Sequence, residues 1–352
     1  MKLNTIHINT AVSGKSRASV LIIYTGGTFG MMRSNQGVFT PFDFSSILEH
    51  LPTLRNLALQ LTVISFDKPI DSSNIQPEHW QTMARIVFEN YNHYQGFVIL
   101  HGTDTMAFSA SALSFMLPGL AKPIIFTGAQ LPISEPRSDA RENLITALEI
   151  AAATIEDKPA VPEVCIFFDF ELLRGNRSKK VESLQFDAFD SGNYPALAKA
   201  GVKIDYNTAM IRQPDSKPLQ LLTDYSPGIA TIRLFPGLDR NTVKSVLATP
   251  GLQALILETY GSGNAPTATW LMDALRVAIT DEIMVLNISQ CPGGRVMQGR
   301  YETSKALDEI GVISGADMTI EAAITKVMIL LGTVGLNKTK QLIGTDLAGE
   351  LS

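Results

Sequence analysis

The chain has 352 residues, 45% of them hydrophobic, and 29 Lys and Arg against 34 Asp and Glu give a net charge of -5. That length suggests two domains with ample apolar material for their cores. The mildly acidic balance, with no long basic run, argues against nucleic acid or an anionic membrane as a principal partner. Two cysteines make neither a disulfide framework nor a zinc cluster, and five scattered histidines lack ligand spacing, so no metal is expected.

The opening "MKLNTIHINTAVSGKSRASV" holds no apolar leader core, and no run approaches about 18 uncharged apolar residues, which reads as a soluble cytoplasmic protein. Short apolar runs then alternate with helix-period segments. Predicted strands are "SVLIIY" (19–24), "LQLTVIS" (59–65), "GFVILHG" (96–102), "KPIIFTG" (122–128) and "EVCIFFD" (163–169). Between them "EHWQTMARIVFENYNHY" and "RENLITALEIAAATI" read as amphipathic helices, and "MAFSASALSFML" as a more buried one. Such continuous apolar strands suit a sheet covered on both faces.

The rhythm fails over 203–227, where Pro, Asp and Ser gather, and that stretch reads as a linker. It resumes with "GIATIRLFPG" (228–237), "ALILETYGSGNAP" (254–266) and "IMVLNISQCPGG" (283–294), each followed by a helix. Two last helices are predicted, in "DMTIEAAITKVMILLG" and "NKTKQLIGTDL". The expected fold class is α/β in two domains, 18–202 with a larger, mainly parallel sheet flanked by helices and 228–352 with a smaller α/β layer.

In open α/β sheets ligands bind beyond the carboxyl ends of the strands. Four successive predicted strands end in small hydroxylated or acidic residues: "TGGT" (25–28), "DSSN" (71–74), "HGTDTM" (101–106) and "TGAQ" (127–130). Ser, Thr and Asp also cap helices, so one such turn says little; four in a row say more. As a phosphate cradle "TGGT" is weak, since the G-x-G-x-x-G spacing is missing. "SGKS" (13–16) precedes a strand and lacks the upstream glycine, and "GSGNAP" (261–266) begins like a dinucleotide turn and then fails. A Rossmann-type oxidoreductase is therefore the residue-level runner-up. In "HGTDT" a hydroxyl, Thr103, and a carboxylate, Asp104, are adjacent at a strand end. A threonine hydroxyl is a poor nucleophile until a base takes its proton, and "RGNRSKK" supplies Lys179 and Lys180 as candidate amines.

Together "YTGGTFGMM", "DSSNIQPEHW", "GFVILHGTDTMAFSASALSFML", "TGAQLPISEPRSDARENL", "RGNRSKK", "YGSGNAP" and "GADMTIEAAITK" resemble the bacterial type I, cytoplasmic L-asparaginases, from about residue 19 to the C-terminus. The resemblance implies hydrolysis of L-asparagine through a threonine-linked acyl-enzyme, with no cofactor. It implies Thr28 as nucleophile, with Thr25 shaping the turn, and a second group of Thr103, Asp104 and Lys180. Lys180 is preferred to Lys179 for its spacing to Phe189. By the same resemblance Ser72, beside Asp71, grips the substrate α-carboxylate, Asp104 receives the α-ammonium, and Ala129 lines the amide end. Asn264 matches a residue that reaches a neighbouring subunit's site, which implies a homodimer or dimer of dimers.

Alternatives are a glutaminase, a non-catalytic amino-acid sensor, or the asparaginase-like component of the archaeal glutamyl-tRNA amidotransferases. The last carries an extra N-terminal domain, against about eighteen residues before the first predicted strand here. One departure is the lid: family members carry a tyrosine about ten residues past the nucleophile, where this chain has Val38. A second concerns an effector-asparagine site found in some members. Its cysteine matches Cys291, but Lys179 and Glu258 replace its threonine and arginine. A glutamate repels the carboxylate that an arginine would fork, so no effector site is expected.

Overall fold

A computed structural model describes residues 2–10, 16–33, 39–41, 47–214, 216–299 and 302–352. Residues 34–38, with Val38 of the expected lid, and 13–15 of the SGKS stretch lie outside the described residues. Two compact units emerge, one of residues 1–191 and 195–221, the other of 192–194 and 222–352.

In the first unit, strands β1 (Leu3–Asn9), β2 (Ala18–Gly26), β3 (Leu59–Ile70), β4 (Gly96–Leu100), β5 (Ile124–Thr127), β6 (Val164–Phe168), β7 (Glu171–Arg174), β8 (Ala198–Ala200) and β9 (Ile204–Tyr206) form one sheet. Their order is β1-β3-β2-β4-β5-β6-β7-β8-β9. The central run from β3 to β6 is parallel, and the flanking strands are antiparallel. Helices α1 (Pro77–Asn90), α2 (Met106–Met116) and α3 (Ala140–Ala151) follow β3, β4 and β5. Val20, Leu21, Ile22 and Ile23 of β2 are wholly buried, which is why that strand shows no polar alternation. The strands following β2 and β3 lie on opposite sides of β2, so the order reverses there. Such a switch point opens a crevice at the strand's carboxyl end.

The sequence pattern does not predict β1, because this edge strand is mostly exposed and lacks a continuous apolar run. The stretch that loses the apolar rhythm after residue 203 is partly held by a buried carboxylate. Glu163 accepts Arg174 Nε at 2.6 Å and the Arg212 backbone N–H at 2.6 Å, while Arg174 Nη2 donates to the Met210 carbonyl at 2.9 Å.

The second unit carries a four-stranded parallel sheet, β10 (Ile229–Arg233), β11 (Ala254–Thr259), β12 (Met284–Ser289) and β13 (Ile313–Ser314), in sequence order. Its helices are α4 (Arg240–Leu247), α5 (Thr269–Thr280), α6 (Glu302–Glu309) and α7 (Ile320–Leu342). Strand residues alternate between two cores: Leu255, Leu257 and Val285 pack with Leu271 and Leu275, while Ile256, Leu286 and Ile288 pack with Val327, Leu330 and Leu331. The two final predicted helices are the two halves of α7, which meet at a kink where Gly335 (φ 74°) leaves helical geometry. By length and composition α7 is apolar enough to cross a membrane, yet half of it is buried against this core. Its Lys326 and the C-terminal Glu350 form an ion pair at 2.5 Å, both side chains fully buried.

Candidate active site

The first threonine turn grows out of β2 at the switch point. Thr25 is buried and donates to the Leu100 carbonyl at 3.0 Å, stitching β2 to β4. Gly26 (φ 138°) and Gly27 (φ 83°) follow with backbones that L side chains rarely adopt. A Cβ on Gly27 would lie 2.6 Å from the Gly102 Cα, and one on Gly26 2.2 Å from the Ile70 carbonyl oxygen. The TGGT and HGTDT turns therefore touch backbone to backbone, and the residues after the two touching glycines are Thr28 and Thr103. Thr28 begins a single 3-10 turn, Thr28–Gly30, is partly exposed, and precedes the fully buried Phe29. Gly102 is confined too, since a Cβ there would meet Ser72 Oγ at 2.6 Å and the Gly27 Cα at 3.4 Å.

Around Thr103 the side chains converge. Lys180 Nζ donates to Thr103 Oγ1 at 2.8 Å and to Asp104 Oδ1 at 2.7 Å. Thr103 Oγ1 in turn donates to Gln130 Oε1 at 3.3 Å, and Gln130 Nε2 donates to the Gln185 carbonyl at 2.9 Å, which fixes the amide's orientation. Lys180 comes from a two-residue ladder, Lys179–Lys180 with Phe189–Asp190, where it stands opposite Phe189. Phe189 is anchored against Phe168 of β6, with ring centroids 5.2 Å apart. Adjacent strand residues point to opposite faces, so only one of the two lysines can turn toward Thr103.

Ser72 is buried, and its carbonyl accepts Thr105 Oγ1 at 2.7 Å. Asp71 turns instead to its own loop, accepting the Ser73 N–H at 3.0 Å and the Ser73 hydroxyl at 2.9 Å. Those bonds hold its carboxyl below the usual range. Ala129 is buried at the end of β5. The next two backbone N–H groups, of Gln130 and Leu131, are held by Asp139 at 3.0 and 3.1 Å. Burial is the main influence on Asp139 and raises its pKa. Thr28, Ser72, Thr103, Asp104 and Ala129 thus follow the ends of neighbouring parallel strands in the first unit, and Lys180 reaches Thr103 and Asp104 from its own hairpin. Asn264 lies in the second unit, in a turn closed by a bridge to Tyr260. Glu258, also there, approaches Arg233 of the adjacent strand, 3.9 Å from its Nη1.

Gln130, Asp139 and Gly102 carry no predicted role. Gln130 sits inside a quoted motif but gains meaning only from Thr103 and Gln185. Asp139 has the look of a helix cap, yet its side chain makes no cap bond. Among the described residues no group of three or more His, Cys, Asp or Glu side chains is placed to hold a metal ion.

Two family models match the chain. The asparaginase N-terminal model matches residues 19–212, and the glutaminase/asparaginase C-terminal domain model matches residues 228–341. The chain belongs to the asparaginase family. It is 40% identical over 349 residues to L-asparaginase 1 of Escherichia coli, covering 96% of this chain and 98% of that one. It is 38% identical over 359 residues to the 60 kDa lysophospholipase of Mus musculus, covering 95% of this chain but only 62% of that relative's length. The crystal structure of L-asparaginase I from Vibrio cholerae matches with a TM-score of 0.85 at 37% identity, covering 96% of this chain and 99% of that one.

Proposed function

We propose that this chain hydrolyses L-asparagine to L-aspartate and ammonia through a β-aspartyl ester on Thr28. The observation that carries the reading is Lys180 Nζ bridging Thr103 Oγ1 and Asp104 Oδ1 at 2.8 and 2.7 Å. That group sits beside the glycine contact joining the two threonine turns.

The chemistry follows from the residue types. Thr28 Oγ adds to the carboxamide carbon, the C–N bond breaks, and the hydroxyl proton leaves with nitrogen as ammonia. Water then adds to the ester carbon, a proton returns to Thr28 Oγ, and L-aspartate departs. Thr103, hydrogen-bonded to Lys180, relays these protons, and Asp104 keeps the lysine in place while facing the substrate ammonium. Among the described residues nothing accepts the Thr103 backbone N–H, which leaves it as a donor for the oxyanion. Such a donor is typically worth about 10²–10³ in rate. Ser72 holds the α-carboxylate, and the backbone at Ala129 borders the amide.

Asn264 is assigned to the site of a neighbouring subunit, which makes the working form a cytoplasmic homodimer or dimer of dimers. Support for that comes from the motif resemblance, and a mass measurement in solution tests it. The activity test is ammonia release by the pure protein from L-asparagine and L-glutamine without added cofactor. Hydroxylamine added during turnover should divert the ester to β-aspartohydroxamate. Release from neither amide would sink the reading, and a need for nicotinamide would favour the oxidoreductase instead.

A further inference from the structure

The side chain one residue before Gly102 is a histidine that the mechanism leaves unused. His101 is 1% exposed, so both ring nitrogens need partners inside the protein. Its Nε2 lies 2.9 Å from Ser109 Oγ, on the first turns of α2. Ser109 Oγ also accepts Trp80 Nε1, from α1, at 2.9 Å. On the other side, His101 Nδ1 lies 2.7 Å from the carbonyl oxygen of Gly102.

These contacts select one protonation state. A bare Nδ1 at 2.7 Å would set two lone pairs against each other, so Nδ1 carries the hydrogen and donates to Gly102. Nε2 is then the acceptor, and the Ser109 hydroxyl, already receiving the indole hydrogen, gives its own to Nε2. Burial drives the ring's pKa down to about 4, which keeps the imidazole neutral near pH 7.

The Gly102 carbonyl is half of the peptide whose other half is the Thr103 N–H. In a planar trans peptide the two point in opposite directions. Turning the carbonyl to the ring therefore turns the Thr103 N–H away from it, and no described residue receives that N–H. Sterics also confine this peptide, because the Gly27 Cα and Ser72 Oγ both crowd Gly102.

We infer that His101, locked by Ser109 and Trp80, is a positioning residue that fixes the Gly102–Thr103 peptide and so aims the Thr103 N–H and hydroxyl at the reacting amide. This role rests on the hydrolase reading above. His101 touches no substrate; it acts through the peptide it holds.

The test uses the full-length protein with L-asparagine. His101→Phe keeps the ring's bulk and removes both nitrogens. Misplacing a reacting group by about 1 Å can cost about 10²-fold, so kcat should fall about 10²-fold while KM stays within about threefold. His101→Asn puts an amide N–H near the Nδ1 position and should recover part of kcat. His101→Gln reaches toward Ser109 instead and should not. Should His101→Phe fail to fold, nitrogen NMR of histidine-labelled wild-type protein decides, since the role requires the Nδ1–H tautomer. An Nε2–H tautomer, or a loss borne by KM with kcat unchanged, or equal rescue by Gln and Asn, overturns the role. A wild-type protein that releases no ammonia overturns the hydrolase reading first, and the role with it.

Discussion

Replacing Lys180 with methionine should separate catalysis from stability. The ammonium donates to Thr103 Oγ1 at 2.8 Å and Asp104 Oδ1 at 2.7 Å. Asp104 is 61% exposed at its side chain, so water screens the pair. An ion pair of that kind stabilises a fold by about 0–1 kcal/mol. Methionine retains the length and most of the apolar stem, which is the part that packs. The melting midpoint should therefore move by no more than about 4 °C. Proton transfer by a placed group contributes about 10²–10⁴ in rate, or roughly 3–5 kcal/mol of barrier. Lys180→Met should thus lose about 10²–10⁴ in kcat for ammonia release from L-asparagine while melting almost as the parent does. A variant retaining kcat within about tenfold would refute the relay. One that melted far lower would show that the amine holds the hairpin together.

The other expectations are independent of that one. Thr28→Ala and Thr103→Ala should each nearly abolish ammonia release with far-ultraviolet circular dichroism unchanged, and strong residual activity in either rules out its assigned role. Because folded His101 titrates at about 4 against 6.5 in the unfolded chain, its stabilisation is complete above 6.5 and fades as pH falls toward 4. The full difference is about 3 kcal/mol, so denaturant midpoints from pH 7 to pH 4 should fall less steeply for His101→Phe than for wild type. Glu350→Ala strands the buried Lys326 and should cost about 3–5 kcal/mol, read as a lowered denaturation midpoint. The rate against L-asparagine should be hyperbolic, because Glu258 stands beside Arg233 where an effector carboxylate would need an unopposed arginine; a sigmoidal curve abolished by Cys291→Ala would contradict this.

What could be read in advance follows burial. Strands β2, β4, β5 and β6 are buried on both faces, so each appears as a continuous apolar run that only a covered sheet tolerates. Strand β1 offers the opposite case: five of its seven residues are exposed, and its pairing to β3 is a property of β3's free edge. Strands β8 and β9 are three residues each, too short for any period to register. The two helices expected at the C-terminal end are two helices, meeting at a kink where Gly335 leaves helical geometry, and a glycine between two periodic segments is the signal for it.

The candidate site divides along a different line. Thr25, Gly26, Gly27 and Thr28 are neighbours in sequence, so a strand ending in two hydroxyls around two glycines already raises the question of what it faces. The partners that answer it are distant: Lys180 is 77 residues from Thr103, Gln130 is 27, and Leu100, which takes the Thr25 hydroxyl, is 75 from it. No local period encodes such pairs; those of Gln130 and Leu100 arise because parallel strands bring their carboxyl ends to one edge, and Lys180 arrives there from the hairpin it forms with Phe189. His101 shows the limit most plainly. In sequence it is an apolar strand's last residue before a glycine, and any polar side chain there reads as the edge of a loop. Its meaning comes from Ser109, one helix on, and Trp80, one helix back. Buried polar groups must find partners or destabilise the fold, and at a strand end surrounded by helices the nearest partners are the helices' own side chains. The packing that hides the imidazole from water is therefore the same packing that determines which way the Gly102 carbonyl turns.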